Sequence, residues 1–220
     1  MSTFYTRQVS CPHCCIPVDA WLARGVHANR RTDLRDEILS RTFHRRSCDQ
    51  CGTRFEVAQQ LVYTDFDLKH WIYVATDADR PGWPAWEARL FGNFAQVFSR
   101  HSPLVDEFGD GMRCRLVFGY EELREKLVVW EAGFDDAIVE CMKARAIATE
   151  PALGTRLIID RIDADNRFHL RGGHEFPPVW TKDADRDRNS LRQRFPELFG
   201  GGYVNVARFM AHPGRAADHI

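Results

Sequence analysis

Residues 10–17 read SCPHCCIP, and residues 48–51 read CDQC. Zn²⁺ takes four soft or borderline ligands in a tetrahedron, and two C-x-x-C turns supply that set from two separate places in a chain. Cys11, Cys14, Cys48 and Cys51 fit it. The spacer, residues 15–47, is 33 residues long, more than the roughly 15–20 of the simplest pattern. A strand at VDAW (18–21) and a helix at TDLRDEIL (32–39), capped by Thr32 or Asp33, would absorb the excess. With thiolates in all four positions no place is left for water, so the expectation is one structural zinc per chain. A redox C-x-x-C belongs in a βαβ setting at a helix N-terminus, which two paired turns do not provide. Cys15 competes with Cys14 but at poorer spacing, and is expected to be a buried thiol beside the ligands. His13 should point outward, His44 is a substitute ligand, and Cys114 and Cys141 read as core residues. Gly52 suits the tight turn after the second pair.

The rest of the composition is that of a globular chain. The 220 residues are 44% hydrophobic and 28% charged, with a net charge of −1 and seven cysteines. No run approaches the ~20 apolar residues of a membrane span, and MSTFYTRQVS at the start lacks the apolar region of a secretory signal. The expectation is a cytoplasmic protein without membrane partners, in which cysteines serve metal rather than disulfides. Near-neutral charge argues against a dedicated nucleic-acid binder. Of 30 basic residues 26 are Arg, read first as the codon habit of a GC-rich genome.

FEVAQQLVYT (55–64) and KHWIYVAT (69–76) read as a hairpin, followed by a loop over 76–84. WEARLFGNFAQVFSRH (86–101) places Trp86, Leu90, Phe91, Phe94, Val97 and Phe98 on one broad helical face. A turn-rich break follows at 102–111, then a strand at 112–119. Residues 120–147 read as two helices. Gly133 closes the first, and Asp135 or Asp136 caps the second, whose last turns carry the favourable cations Lys143 and Arg145. ATEPALG (148–154) reads as a boundary. Beyond it come a hairpin of TRLIIDRI with NRFHLRG, a polar stretch at 181–190, a helix at 190–199, a strand at 203–209 and a tail at 211–220.

Several of these stretches together resemble the CpXC family: CPHC (11–14), CDQCGTRFEV (48–57), LVYTDFDLKHWIYV (61–74) and LVFGYEELREKLVVWEAGFDDAIVE (116–140). The resemblance covers roughly residues 7–147. It implies a zinc-ribbon-like unit joined to an α/β part, with no established activity. CDQC departs from the family pattern in lacking a proline after its first cysteine, which shapes the turn but ligates nothing.

Catalytic signatures are fragmentary. HEFPP (174–178) has Pro178 where a zincin needs its second histidine. GGG (200–202) lacks the following Gly-Lys-Ser/Thr of a phosphate loop. KDADRDR has calcium-loop spacing but Arg188 and Arg194 where Gly and Glu are required. Glu131, Asp135 and Asp136 cluster around Gly133, and helix capping explains the two aspartates. The reading leans away from an enzyme.

The expectation is therefore an α/β (α+β) protein: an N-terminal four-cysteine zinc ribbon with a mixed sheet and packed helices over 1–150, including an aromatic helical insertion at about 84–104. A small β-rich C-terminal unit follows over 151–210. The first functional reading is a non-enzymatic interaction protein, a scaffold or accessory subunit of a bacterial complex. Its protein partner would dock on Trp86, Leu90, Phe91, Phe94 and Phe98. The alternative is a nucleic-acid-binding ribbon using the arginine-rich surface of residues 24–54, with Arg30, Arg31, Arg41, Arg45 and Arg46 on phosphates.

Overall fold

The structure, a computed structural model of the chain, describes residues 2–98, 109–176 and 186–210. The end of the expected insertion, most of the break after residue 102, Pro178, residues 181–185 and the tail at 211–220 lie outside them. Internal contacts divide the chain into two compact units, Met1–Leu123 and Arg124–Ile220.

The first unit is built on a five-stranded mixed sheet, in spatial order β1 (Thr3–Ser10), β2 (Pro17–His27), β5 (Leu61–Asp65), β6 (His70–Ala75) and β7 (Arg113–Phe118). β1 (Thr3–Ser10) and β2 (Pro17–His27) form a long antiparallel hairpin. β1 was not anticipated, and VDAW is only part of β2. β2 touches β5 (Leu61–Asp65) in parallel over three pairs, Gly25↔Val62 to His27↔Thr64. Between β2 and β5 the chain inserts α1 (Thr32–Leu39) and a second small hairpin, β3 (Arg45–Ser47) with β4 (Arg54–Glu56). β5 pairs antiparallel with β6 (His70–Ala75), the expected hairpin, and β6 pairs in parallel with β7 (Arg113–Phe118). Parallel neighbours need a crossover, and both crossovers carry a helix.

β6 is buried at all six positions, as expected of a strand covered on both faces. One cover is α2 (Trp83–Phe98). Phe94 and Phe98 meet the Trp71 ring edge-on at centroid distances of 5.6 and 5.5 Å, and Trp86 lies 5.8 Å from Tyr73. The spacing of four between these residues gives the helix its inward stripe. TDADRPG, expected as loop, winds into a 3-10 helix over Asp77–Gly82, held by a reciprocal capping box between Thr76 and Asp79. At α1 the expected Thr32 or Asp33 cap is replaced by Arg31, whose guanidinium is occupied by Asp33 at 2.6 and 2.8 Å. Leu34 and Ile38 bury its apolar face.

The chain passes into the second unit within α3 (Gly119–Glu131). Gly133, at φ +81°, closes that helix, and the Asp135 carboxylate accepts the Ala137 N–H at 2.9 Å to start α4 (Asp136–Thr149). A three-stranded sheet follows, β8 (Ile159–Ile162), β9 (Phe168–Leu170) and β10 (Glu175–Phe176), in the order β10-β9-β8. The helix expected at 190–199 is interrupted at Pro196 into α5 (Arg188–Arg194) and α6 (Pro196–Phe199). The strand expected at 203–209 is instead a short helix, α7 (Val206–Met210), whose first turn the Asn205 side chain caps at Ala207 N.

Within the otherwise apolar core of this unit lies a buried ion-pair cluster. Lys143 is not a solvated cation at a helix end: it is fully buried, with Nζ 2.6 Å from Glu125 and 3.1 Å from Glu140. Lys126 lies 3.1 Å from Asp136 and 3.2 Å from Glu140, and donates to the Val204 carbonyl at 2.8 Å. Asp136 is thus an ion-pair partner rather than a cap. Backbone N–H groups of Ile159 and Val206 reach Glu125 and Glu140 at 2.6 and 2.8 Å. Burial acts to lower Lys143, but Glu125 and Glu140 outweigh it and hold its pKa above the ordinary value. Each carboxylate thus ties α3 or α4 to a later segment.

Candidate metal centre

Each cysteine pair sits in the turn of a hairpin, and the two turns are alike bond for bond. The flanking strand pairs are Ser10↔Pro17 and Ser47↔Arg54, enclosing six residues in each case, 11–16 and 48–53. In the first turn Cys11 N–H donates to the Ile16 carbonyl at 2.9 Å and Cys15 N–H to the Cys11 carbonyl at 2.9 Å. In the second, Cys48 N–H donates to Thr53 at 3.0 Å and Gly52 N–H to Cys48 at 2.8 Å. The residue after each second cysteine is left-handed, Cys15 at φ +60° and Gly52 at φ +70°. A side chain there costs backbone strain unless the residue is glycine. Cys15 is therefore a turn residue, and it is exposed rather than buried. His13 points outward as expected.

The two turns bring four sulfurs together. Cys11 Sγ lies 3.6 Å from Cys51 Sγ, and Cys14 Sγ 3.5 Å from Cys48 Sγ. All four lie within 4.8 Å of one another. Zinc–sulfur bonds of about 2.3 Å at tetrahedral angles would separate the sulfurs by about 3.8 Å, so the cluster has the size the ion requires. Cys11 and Cys48 are buried, while Cys14 and Cys51 lie nearer the surface.

The thiols are unequal. The Thr53 hydroxyl and backbone N–H, with the nearby sulfurs, bring Cys51 down to about 6. At Cys14 the Ile16 backbone acts to lower the pKa, but burial and the other three sulfurs outweigh it and push it up to about 12. Four sulfurs this close cannot all ionise without a cation between them. A divalent ion removes that conflict, as it deprotonates the thiols it binds.

His44 is not a ligand. It is buried, and both ring nitrogens are engaged. Nε2 accepts the Ala23 N–H at 2.8 Å, so the proton sits on Nδ1, 2.7 Å from the Tyr120 hydroxyl. Tyr120 in turn donates to the Val57 carbonyl at 3.2 Å. Burial, with help from Arg46, pushes the imidazole down to about 3. This relay fastens the second hairpin to β2 and α3. Val57 also joins the small core of Ala20 and Leu22 under the first hairpin, with Tyr5, Val9 and Phe55 packed around it.

The other expected site residues fall in two places. On the ribbon, Arg31 is paired with Asp33, and Arg41 lies 3.1 Å from Glu121. Arg46 donates to the Trp21 carbonyl. Arg30 and Arg45 are exposed, with no side-chain partner among the described residues. The same unit carries a feature the sequence reading missed: Trp21, 52% exposed, stacks on Phe4 at 4.1 Å with the planes 6° apart, and the Arg31 guanidinium lies 5.1 Å from the Phe4 ring. Alternation along β2, which sets Trp21 on the face opposite the buried Ala20 and Leu22, was the signal available for it. On α2, Leu90 and Phe98 are buried, Trp86 and Phe94 pack on the sheet, and Phe91 and Val97 remain exposed.

No helix among the described residues is long and apolar enough to cross a membrane. The family model described as CpXC protein matches residues 9–143. No curated protein and no solved structure matches the chain.

Proposed function

The chain belongs to the CpXC family, and from that premise we propose a zinc-binding interaction protein whose metal is structural, acting as a scaffold or accessory subunit of a bacterial complex. The observation that carries the metal reading is the pair of matching hairpin turns that converge four sulfurs within 4.8 Å. Four thiolates fill a tetrahedral zinc ion and leave no position for a substrate. The centre therefore holds two hairpins together, and function falls to the surfaces they present. On α2 the surface left for a partner is the outward side with Phe91 and Val97, since Trp86, Leu90, Phe94 and Phe98 serve the unit's own core.

Two measurements test this. Metal analysis after chelator-free purification should give one zinc per chain, and less than half an equivalent would sink the metal reading. Affinity purification at native expression, repeated with nuclease, should retain a stoichiometric protein partner. Loss of all partners with nuclease would replace the scaffold by nucleic-acid binding.

The stacked Phe4–Trp21 pair, with Arg31 over the Phe4 ring and Arg46 on the Trp21 carbonyl, favours that second reading, because aromatics among arginines are what single-stranded nucleic acid stacks on. Anisotropy titration of a labelled oligonucleotide should then show affinity that falls steeply with salt and is lost in Trp21→Ala. Absence of salt-sensitive binding removes it.

A further inference from the structure

β2 and β5 stay paired for only three residues. β5 begins only at Leu61, and residues just before it lie along the first hairpin, where Gln59 bonds Tyr5 and the Ala23 carbonyl; an open groove of about 620 Å³ is lined here in the first unit. Three strangers in sequence meet on it: Arg7 from β1, Arg24 from β2 and Arg89 from α2. None forms an ion pair among the described residues. Arg24 lies 4.5 Å from the Tyr5 ring and Arg89 5.1 Å from the Trp86 ring, so both guanidinium planes are steadied while their N–H edges stay unclaimed.

The remaining polar side chains of the lining are already satisfied or are able to donate. Tyr73 and Asn93 make no side-chain hydrogen bond among the described residues. Gln59 is consumed, accepting from Tyr5 and donating to the Ala23 carbonyl. Among the described residues no Asp or Glu lines the groove. Asp79, which two of the lining residues bond, is held by the Thr76 backbone, the Thr76 hydroxyl and Gln60 at 3.0, 2.7 and 3.2 Å. The floor is apolar, with Leu61 buried and Val62 half-buried.

We propose that this groove is a binding site for a nucleotide-sized organic phosphate, its phosphates held by Arg7, Arg24 and Arg89 and its organic part laid against the floor. Guanidinium groups match phosphate oxygens two at a time, and the volume is that of small-molecule sites. The site uses none of the four cysteines and does not depend on the reading of the metal centre.

The test is calorimetric titration of the full chain, as purified with its metal, with ADP, adenosine and inorganic phosphate. ADP should bind, adenosine should bind at least about tenfold more weakly, and Arg24→Gln with Arg89→Gln should lower ADP affinity by at least about tenfold, with melting temperature and metal content unchanged. If the double variant melts lower, Arg7→Gln alone, on the edge strand, replaces it and should still weaken ADP. Absence of ADP binding, or binding indifferent to these arginines, overturns the site. Phosphate binding as tightly as ADP overturns the organic part. A single-stranded oligonucleotide that outcompetes ADP through the same arginines overturns it in favour of nucleic acid.

Discussion

Cys15 and Gly52 occupy the same place in two copies of one turn, each left-handed and each donating its N–H to the carbonyl of the first cysteine of its pair. Between the neighbours Cys14 and Cys15 the geometry is unequal: Cys14 Sγ stands in the cluster, 3.5 Å from Cys48 Sγ, and Cys15 is the residue that turns the chain.

Cys15→Gly should keep the full metal content and stabilise the fold by about 0.5–1 kcal/mol, the strain a side chain adds at positive φ. Cys14→Ser should lose the metal. Metal analysis and thermal melts of the two variants separate them, and loss of metal in Cys15→Gly would overturn the assignment.

Removing the ion, by chelation or by Cys48→Ser, should cost the first unit several kcal/mol, since binding free energy of a structural metal is folding free energy. Hydrogen exchange should accelerate across Thr3–His27 and Arg45–Glu56, while α4 keeps its protection. Uniform loss of protection along the chain would contradict it.

In the second unit, Lys143→Met leaves Glu125 and Glu140 buried with one fewer cation and should destabilise by about 3–5 kcal/mol. Glu125→Leu combined with Lys143→Met removes a charge of each sign, and should recover part of that loss while Lys126 still serves Glu140. Chemical denaturation of the single and double variants decides it. A double variant less stable than the sum of its singles would refute the pairing.

His44 gives a pH dependence with a definite sign. Its pKa is about 3 in the folded chain against 6.5 as the ordinary value. Above 6.5 neither state is protonated and nothing is lost. As pH falls from 6.5 towards 3 the unfolded chain takes up a proton that the folded one refuses, so stability falls. Between pH 7.5 and 5 the loss should be about 2 kcal/mol. It should be missing from His44→Asn, an exchange suited to the left-handed φ of +54°. Denaturation at the two pH values compares the slopes.

How far the sequence could be read depended on whether its signal was local. Both cysteine pairs, α1, the β5–β6 hairpin, α2, β7 and the Gly133 break announce themselves within a few residues, and the structure has them. β1 escaped because TFYTRQVS is exposed or half-buried throughout and so shows no clean alternation of apolar residues. Lys143 and Asp136 were misread because a charge on a helix looks the same whether water or a buried partner answers it. Only the fold brings Glu125 within 2.6 Å of Lys143. The arginine groove draws on three elements, far apart in sequence, and no spacing encodes it.

The crossover from β2 to β5 also bears on how the molecule is made. Its parallel pairing is short and joins residues 37 apart, as Gly25↔Val62 shows. The search for such a distant partner is slow, because loop entropy is spent before the contact repays it. Both hairpins close locally, each on a six-residue turn. A metal ion that captures their tips early would shorten the loop left to close, from the whole crossover to the few residues between Glu56 and Leu61. Refolding of the metal-loaded chain should then outpace that of the metal-free chain, making the ion a guide to the order of assembly as well as a fastening in the finished fold.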